Sequence, residues 1–176
     1  MTQLKVLDLF SGMGGASQSF VQLNHKVIRM DICPGEPVDI LADIRFLPIK
    51  KSYFDLIWAS PPCTEFTRSA LPWFRNAPTP SMELVCAAKK IIDDFNPKFW
   101  VIENVKGSIP FISKILGAPT WISLPYVLWG NFPPLFDLHF SRSKRIKSRT
   151  SGSKYRSRVH KKLSDAMCSS MEQWIF

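Results

Sequence analysis

Short apolar runs alternate with helix-spaced segments along this chain, and that alternation constrains the fold more than any other feature. Leu4 to Leu9, Val27 to Met30, Asp39 to Ala42, Asp55 to Ala59, Phe99 to Ile102 and Pro125 to Trp129 are each too short for a stable helix and read as strands. Between them, a glycine cluster opens a helical stretch that runs through Phe20 to about Leu23. Leu84, Val85, Ala88, Ile91, Ile92 and Phe95 recur at helical spacing, with Ser81 as N-cap, Glu83 in the first turn and Asn96-Pro97 as the stop. A short helix is expected around residues 111–116 and a last one over 158–174, while residues 68–80, rich in Pro, Trp and Arg, read as a loop. Pro34, Gly35 and Pro37 leave no room for a full helix between the second and third runs. Strands that alternate with helices specify a three-layer, Rossmann-like α/β fold with a mainly parallel sheet.

At 176 residues and 45% hydrophobic, the chain suits one domain with a real core. Its formal charge of +9 is concentrated at one end. Ten Lys and Arg lie between Arg142 and Lys162, interleaved with serines and with no carboxylate among them. Such a segment suits a phosphate backbone, although a solvated basic tail has the same composition. We therefore expect a core over residues 1–138, followed by a basic segment and a C-terminal helix that packs back on the core over 139–176. The four cysteines are far apart and form no C-x-x-C pair, which argues against a zinc site and a disulfide framework and fits a reducing, intracellular setting. His25, His139 and His160 show no ligand-like spacing and are expected at the surface, so no metal is expected. No apolar run approaches membrane-spanning length and no signal pattern opens the chain, so no membrane partner is expected.

Chemistry concentrates where strands end. Asp8 to Gly15 (DLFSGMGG) places glycines between the first strand and a helix start, where backbone can approach a ligand closely. A dinucleotide fingerprint would need a third glycine where Ser17 stands. Asp31, ending the second strand, can accept from both hydroxyls of an adenosine ribose, and Asp43, ending the third, can reach an adenine amino group. Pro61-Pro62 directly follows the fourth strand and stiffens the loop that presents Cys63. The other cysteines, Cys33, Cys86 and Cys168, read as small apolar core residues. Glu103 leaves the buried fifth strand next to the fourth, where a desolvated carboxyl has a raised pKa and can serve as a proton donor; a turn or capping carboxylate is the competing reading.

DLFSGMGG, SPPCTEFT (Ser60 to Thr67) and IENV (Ile102 to Val105), in this order, resemble the cofactor loop, nucleophile loop and acidic strand end of the cytosine-5 DNA methyltransferase family. The resemblance implies the S-adenosylmethionine-dependent methyltransferase form of the doubly wound sheet. It also implies Cys63 as nucleophile on carbon 6 of a cytosine flipped out of duplex DNA, with Glu103 on N3 and the exocyclic amine. Phe10, Ser11, Gly12, Gly14 and Gly15 would line S-adenosylmethionine, with Asp31 and Ile32 at the ribose and Asp43 with Ile44 at the adenine. Ser60, Pro61 and Pro62 would meet its methionine part, and Asn104 would brace the loop holding Glu103.

Departures from the family pattern are equally plain. There is no room for a large target-recognition domain, and the Gln-Arg-x-Arg strand motif is missing. Gly130-Asn131 comes too early for the family's last motif, and Thr64-Glu65 stand where glutamine and glycine are common. Contact with nucleic acid would then fall to Arg68, Arg75, Arg142, Lys144, Arg145, Lys147 and Arg149, with Trp73 and Phe74 stacking near the base. Similar compact members occur in phages and mobile elements, so a virus-encoded origin and a cytoplasmic or nucleoid-associated location are expected. A silent or split homologue with a recognition subunit in trans, and an enzyme acting on RNA, stand as alternatives.

Overall fold

The computed structural model describes residues 3–35, 37–69, 79–136, 138, 140 and 159–175. Its elements in chain order are β1 (Lys5–Leu9), α1 (Gln18–Gln22), β2 (Lys26–Asp31), β3 (Ile40–Leu41), β4 (Leu56–Ala59), α2 (Thr64–Ser69), α3 (Glu83–Phe95), β5 (Phe99–Val105), α4 (Ile109–Leu116), β6 (Trp121–Ser123), β7 (Tyr126–Asn131) and α5 (Lys161–Ile175). The strands form one sheet in the order β3-β2-β1-β4-β5-β7-β6. The first five positions pair in parallel, and β7 enters antiparallel between β5 and β6. This is the three-layer, Rossmann-like α/β fold that the alternation of elements specifies, in the methyltransferase form that the motif resemblance implies.

Period-two alternation sorts the strand residues into two layers. Val6 of β1, Leu56 and Trp58 of β4, and Phe99 and Val101 of β5 pack on one face, with Phe20 from α1 and Leu163, Met167 and Met171 from α5. Leu7, Leu9, Ile57, Ala59 and Ile102 face the other way, against Ala88, Ile91, Ile92 and Phe95 of α3. The central strands are thus buried on both sides, as parallel strands require. The final helix is fastened to α1 by Ser164, whose hydroxyl donates to the Ala16 carbonyl at 2.7 Å and accepts from the Ser19 amide at 3.1 Å.

Several boundaries differ from the sequence expectation, each for a local reason. Residues 12–17 turn instead of opening α1, because Gly12 and Gly14 take positive φ. Thr64–Ser69 is helical where a stiff loop running into residues 68–80 was expected; the prolines lie just ahead of the first turn, where their missing amides cost nothing. Ser81 does accept from the Glu83 amide at 3.3 Å, yet Met82 occupies the N-cap of α3. At the other end, Asn96 caps α3 in the left-handed region at φ 50°, a conformation that asparagine tolerates, and Pro97 follows where the helix stops. β5 continues three residues past Ile102 because β7 pairs along it from Trp100↔Asn131 to Val105↔Tyr126. Gly130, which resembles a displaced family motif, is structural here. A Cβ on it would lie 2.0 Å from the Trp100 carbonyl oxygen.

Candidate active site

At the carboxyl ends of β1, β2, β3 and β4 the chain leaves a cleft of ≈ 360 Å³, of the size that holds small ligands and cofactors. Phe10, Ser11, Gly12, Gly15, Asp31, Ile32, Asp43, Ile44, Ser60, Pro62 and Cys63 all line it. Residues drawn from four separate stretches of sequence are therefore brought to one surface. Gly14 and Pro61 stand apart from the cleft wall. At Gly14, φ is +67° and a Cβ would come within 2.8 Å of Pro37 Cγ, so glycine serves the turn. Pro61 presents its carbonyl to Asn104.

The glycine loop is held from beneath. Phe10 adopts φ 60°, which costs a non-glycine residue on the order of 1 kcal/mol and persists because neighbouring bonds fix it. The Ser11 amide donates to the Met30 carbonyl at 3.0 Å, tying the loop to the end of β2. Asp31 Oδ2 accepts from the Gly12 amide and Oδ1 from the Cys33 amide, each at 2.8 Å. Asp31 is thus a clasp for two loops first, with further lone pairs left toward the cleft. Below the loop, the Ser17 hydroxyl donates to Asp8 Oδ2 at 2.6 Å, and Arg29 Nε donates to Ser17 Oγ at 2.8 Å. Burial pushes the Asp8 carboxyl up to about 7 despite Ser17 and Arg29. Ser11 Oγ is buried at the cleft and has no hydrogen-bond partner among the described residues. An unmet hydroxyl in this position suits a ligand with polar edges.

Asp43 is engaged by Arg45. The Arg45 side chain donates to both carboxylate oxygens and its amide donates to Oδ1 at 2.9 Å, which lowers the Asp43 pKa to about 2. Arg45 also donates to Glu83 Oε1 at 3.0 Å, linking the loop after β3 to the start of α3.

The second half of the site joins β4 to β5. Cys63 accepts from the Thr67 amide at 2.9 Å and hydroxyl at 3.0 Å through its carbonyl, so it is the residue on which α2 is built. Asn104 Nδ2 donates to the Pro61 carbonyl at 3.0 Å, and Asn104 Oδ1 accepts from the Val105 amide at 2.9 Å. The brace therefore runs from β5 to the cysteine loop itself. Glu103 is buried, 8% exposed, and burial raises its carboxyl to about 7, opposed by a hydrogen bond with Ser60. Cys63 is half-buried; burial raises its thiol, and the nearby Glu103 charge raises it further. Tyr126 of β7 is raised by burial and again by Glu103, while its oxygen accepts from the His160 amide at 3.0 Å. Cys63 lines the cleft, and Glu103, outside the cleft wall, lies near enough for its charge to raise the thiol.

Some expectations are corrected by packing. His25 is buried, with Nδ1 accepting from the Leu4 amide at 3.3 Å and Nε2 lying 3.3 Å from Glu172 of α5. Cys33 and Cys86 are exposed, and only Cys168 is a core cysteine. Cys33 lies at the cleft, and Cys86 falls on the outer side of α3. Arg68 lies in α2, but its side chain falls outside the described residues, as do Trp73, Phe74, Arg75, His139, Arg142, Lys144, Arg145, Lys147 and Arg149. Arg45, Leu84 and Val159 line the cleft without a sequence signal of their own, because each is brought there by packing between elements. Among the described residues no cluster of His, Cys, Asp or Glu could hold a metal ion, and no helix is long and apolar enough to cross a membrane.

The family model of C-5 cytosine-specific DNA methylases matches residues 4–111, a span that contains the glycine loop, Cys63 and Glu103. The chain belongs to that family. The chain is also similar to a crystal structure described as that of a DNA modification methyltransferase encoded within a prophage (E. coli), with 21% sequence identity and a TM-score of 0.46. The match covers 63% of this chain and 34% of that one, so the chain spans about a third of that protein's length. No curated protein matches. Within the family span, the loop over the cleft, the thiol and the buried carboxyl occupy the three stretches in which the chain carries the family's motifs.

Proposed function

We propose that this chain methylates carbon 5 of cytosine in DNA, with Cys63 as nucleophile and Glu103 as the acid. The observation that carries the reading is the proximity of a half-buried thiol and a buried carboxyl at the ends of neighbouring strands, beside the cleft. Addition of the Cys63 thiolate to carbon 6, with a proton passing from Glu103 to N3, moves an electron pair to carbon 5. S-adenosylmethionine, when bound, supplies the electrophilic methyl group. Loss of the carbon 5 proton to solvent, departure of the thiolate and return of the N3 proton to Glu103 restore the residues.

The charge states fit these roles. A carboxyl that titrates near 7 is populated as both acid and base at neutral pH, which suits a group that gives and then regains a proton. Protonating Glu103 also removes the negative charge that raises the Cys63 thiol, so the two groups are coupled: the acid form of one favours the nucleophilic form of the other. Asn104, next to Glu103 on β5, ties down the Pro61 carbonyl of the loop that carries the thiol.

The cleft suits S-adenosylmethionine on the evidence of its own groups. The unmet Ser11 hydroxyl, the remaining lone pairs of Asp31 and an otherwise apolar wall including Phe10, Ile32 and Ile44 match a ligand with a ribose, an adenine and a short charged tail. Asp43, held by Arg45, would meet the adenine amino group through its free lone pairs. In this reading residues 1–138 are the catalytic core. Arg68, Arg75, Arg142, Lys144, Arg145, Lys147 and Arg149 would neutralise phosphates of duplex DNA with a flipped cytosine.

The test is transfer of a labelled methyl group from S-adenosylmethionine to matched duplex DNA, single-stranded DNA and RNA, beside Cys63→Ser. Transfer to duplex DNA that vanishes in Cys63→Ser supports the proposal. Transfer to RNA alone would replace DNA as substrate, and transfer only after a copurifying polypeptide is added would establish a recognition subunit in trans.

A further inference from the structure

One arginine holds the carboxylate at the β3 end of the cleft. Asp43 caps a short turn over Ile44–Phe46, and its Oδ1 accepts from the Arg45 amide at 2.9 Å. Arg45 Nε lies 3.0 Å from each carboxylate oxygen, and Nη2 donates to Oδ2. A carboxylate offers about four lone-pair positions, and Arg45 alone brings three donors to them. Room is left for about one more donor. A guanidinium only donates, so Asp43 beside it stays ionised and can only accept. The remaining arm of the guanidinium, Nη1, donates to Glu83 Oε1 at 3.0 Å. Arg45 is therefore fixed from two sides, by the loop after β3 and by the first residue of α3.

Arg45 also stands between two spaces. Arg45, Pro62, Thr64 and Leu84 line the cleft and also a second cavity of ≈ 310 Å³, bounded further by Glu65 and Phe66. The shared lining makes these four residues the partition between them.

We propose that Arg45 is the specificity-determining residue at this end of the cleft: it presents Asp43 to a purine with an unsubstituted exocyclic amino group and closes the way to the second cavity. The inference rests on the reading of the cleft as the S-adenosylmethionine site. A keto oxygen in place of the amino group would set lone pairs against the carboxylate's own. A bulky group on the amine would have to pass Arg45, whose guanidinium cannot swing away without leaving Asp43 and Glu83. With that side chain removed, Asp43 is free to turn toward water and the partition opens. The Arg45 side chain is 42% exposed and that of Glu83 61%, so the pair adds little to stability and its effect belongs to ligand choice.

Calorimetric binding of S-adenosylhomocysteine, its N6-deaminated analogue and its N6-benzyl analogue to the full chain tests this in the parent, Arg45→Ala and Arg45→Lys. The parent is expected to prefer the amino compound over the deaminated one by about a hundredfold or more, and to exclude the benzyl compound. Arg45→Ala is expected to narrow that ratio to about tenfold or less and to bind the benzyl compound, a gain that a loosened fold would not produce. Arg45→Lys, a point charge without the fork, should fall between them. A parental ratio in Arg45→Ala, or continued exclusion of the benzyl compound, overturns the inference and leaves the cofactor reading standing, because S-adenosylhomocysteine still binds. If Arg45→Ala fails to fold, the same two results in Arg45→Lys decide. A folded parent that binds none of the three compounds overturns the cofactor reading and the inference with it.

Discussion

Replacing Glu103 by glutamine should flatten the dependence of stability on pH. The folded protein holds the Glu103 carboxyl at about 7, against an ordinary value of 4.5, because the group is buried in β5. A folded-state pKa above the unfolded one means that folding takes up a proton. The resulting stability is fully present below about pH 4.5 and is lost as pH rises through 7. Linkage over those two values gives a loss of about 2.5 kcal/mol between pH 5 and pH 8 from this one residue. Asp8, raised to about 7 by burial, loses stability in the same direction and is unchanged in the variant, so it cancels in the comparison. Urea unfolding followed by the fluorescence of the buried Trp58 and Trp129 measures the difference. The parent should weaken between pH 5 and pH 8 by about 2.5 kcal/mol more than Glu103→Gln. Parallel pH profiles for the two proteins would refute the claim that Glu103 is a desolvated carboxyl poised near neutrality.

Two further outcomes follow from the geometry. Asn104→Ala leaves the Pro61 carbonyl and the Val105 amide without their partner, and should cost about 2–4 kcal/mol in urea unfolding while lowering methyl transfer more than S-adenosylmethionine binding, read by calorimetry. Gly130→Ala places a Cβ 2.0 Å from the Trp100 carbonyl oxygen, a backbone atom that cannot turn aside, and should cost roughly 2 kcal/mol or more by separating β5 from β7.

The parallel half of the sheet is legible in the sequence because each strand is a compact apolar run bounded by Gly, Pro or an acidic residue. Asp31, Cys63 and Glu103 are found together because parallel strands deliver their carboxyl ends to one edge, whatever lies between them in sequence. The end of β5 is less legible. Polar Glu103 and Asn104 interrupt the apolar pattern, and their pairing partner β7 lies more than twenty residues further along. α2 is hidden by the prolines in front of it, which suggest only an extended loop. His25 carries no local sign of burial either; its partner Glu172 comes from α5, across nearly the whole chain. What the residues do show on their own is the order of the motifs and the charge imbalance toward the carboxyl end.

Covalent capture tests the central claim most directly. Duplex DNA carrying 5-fluorocytosine, incubated with the chain and S-adenosylmethionine, cannot lose a proton from carbon 5 and should leave the protein bonded to DNA through Cys63. A denaturation-resistant adduct on a gel that disappears in Cys63→Ser is the predicted result. An adduct of equal yield in Cys63→Ser, or rapid methylation of ordinary cytosine by that variant, would contradict the assignment of Cys63 as the nucleophile.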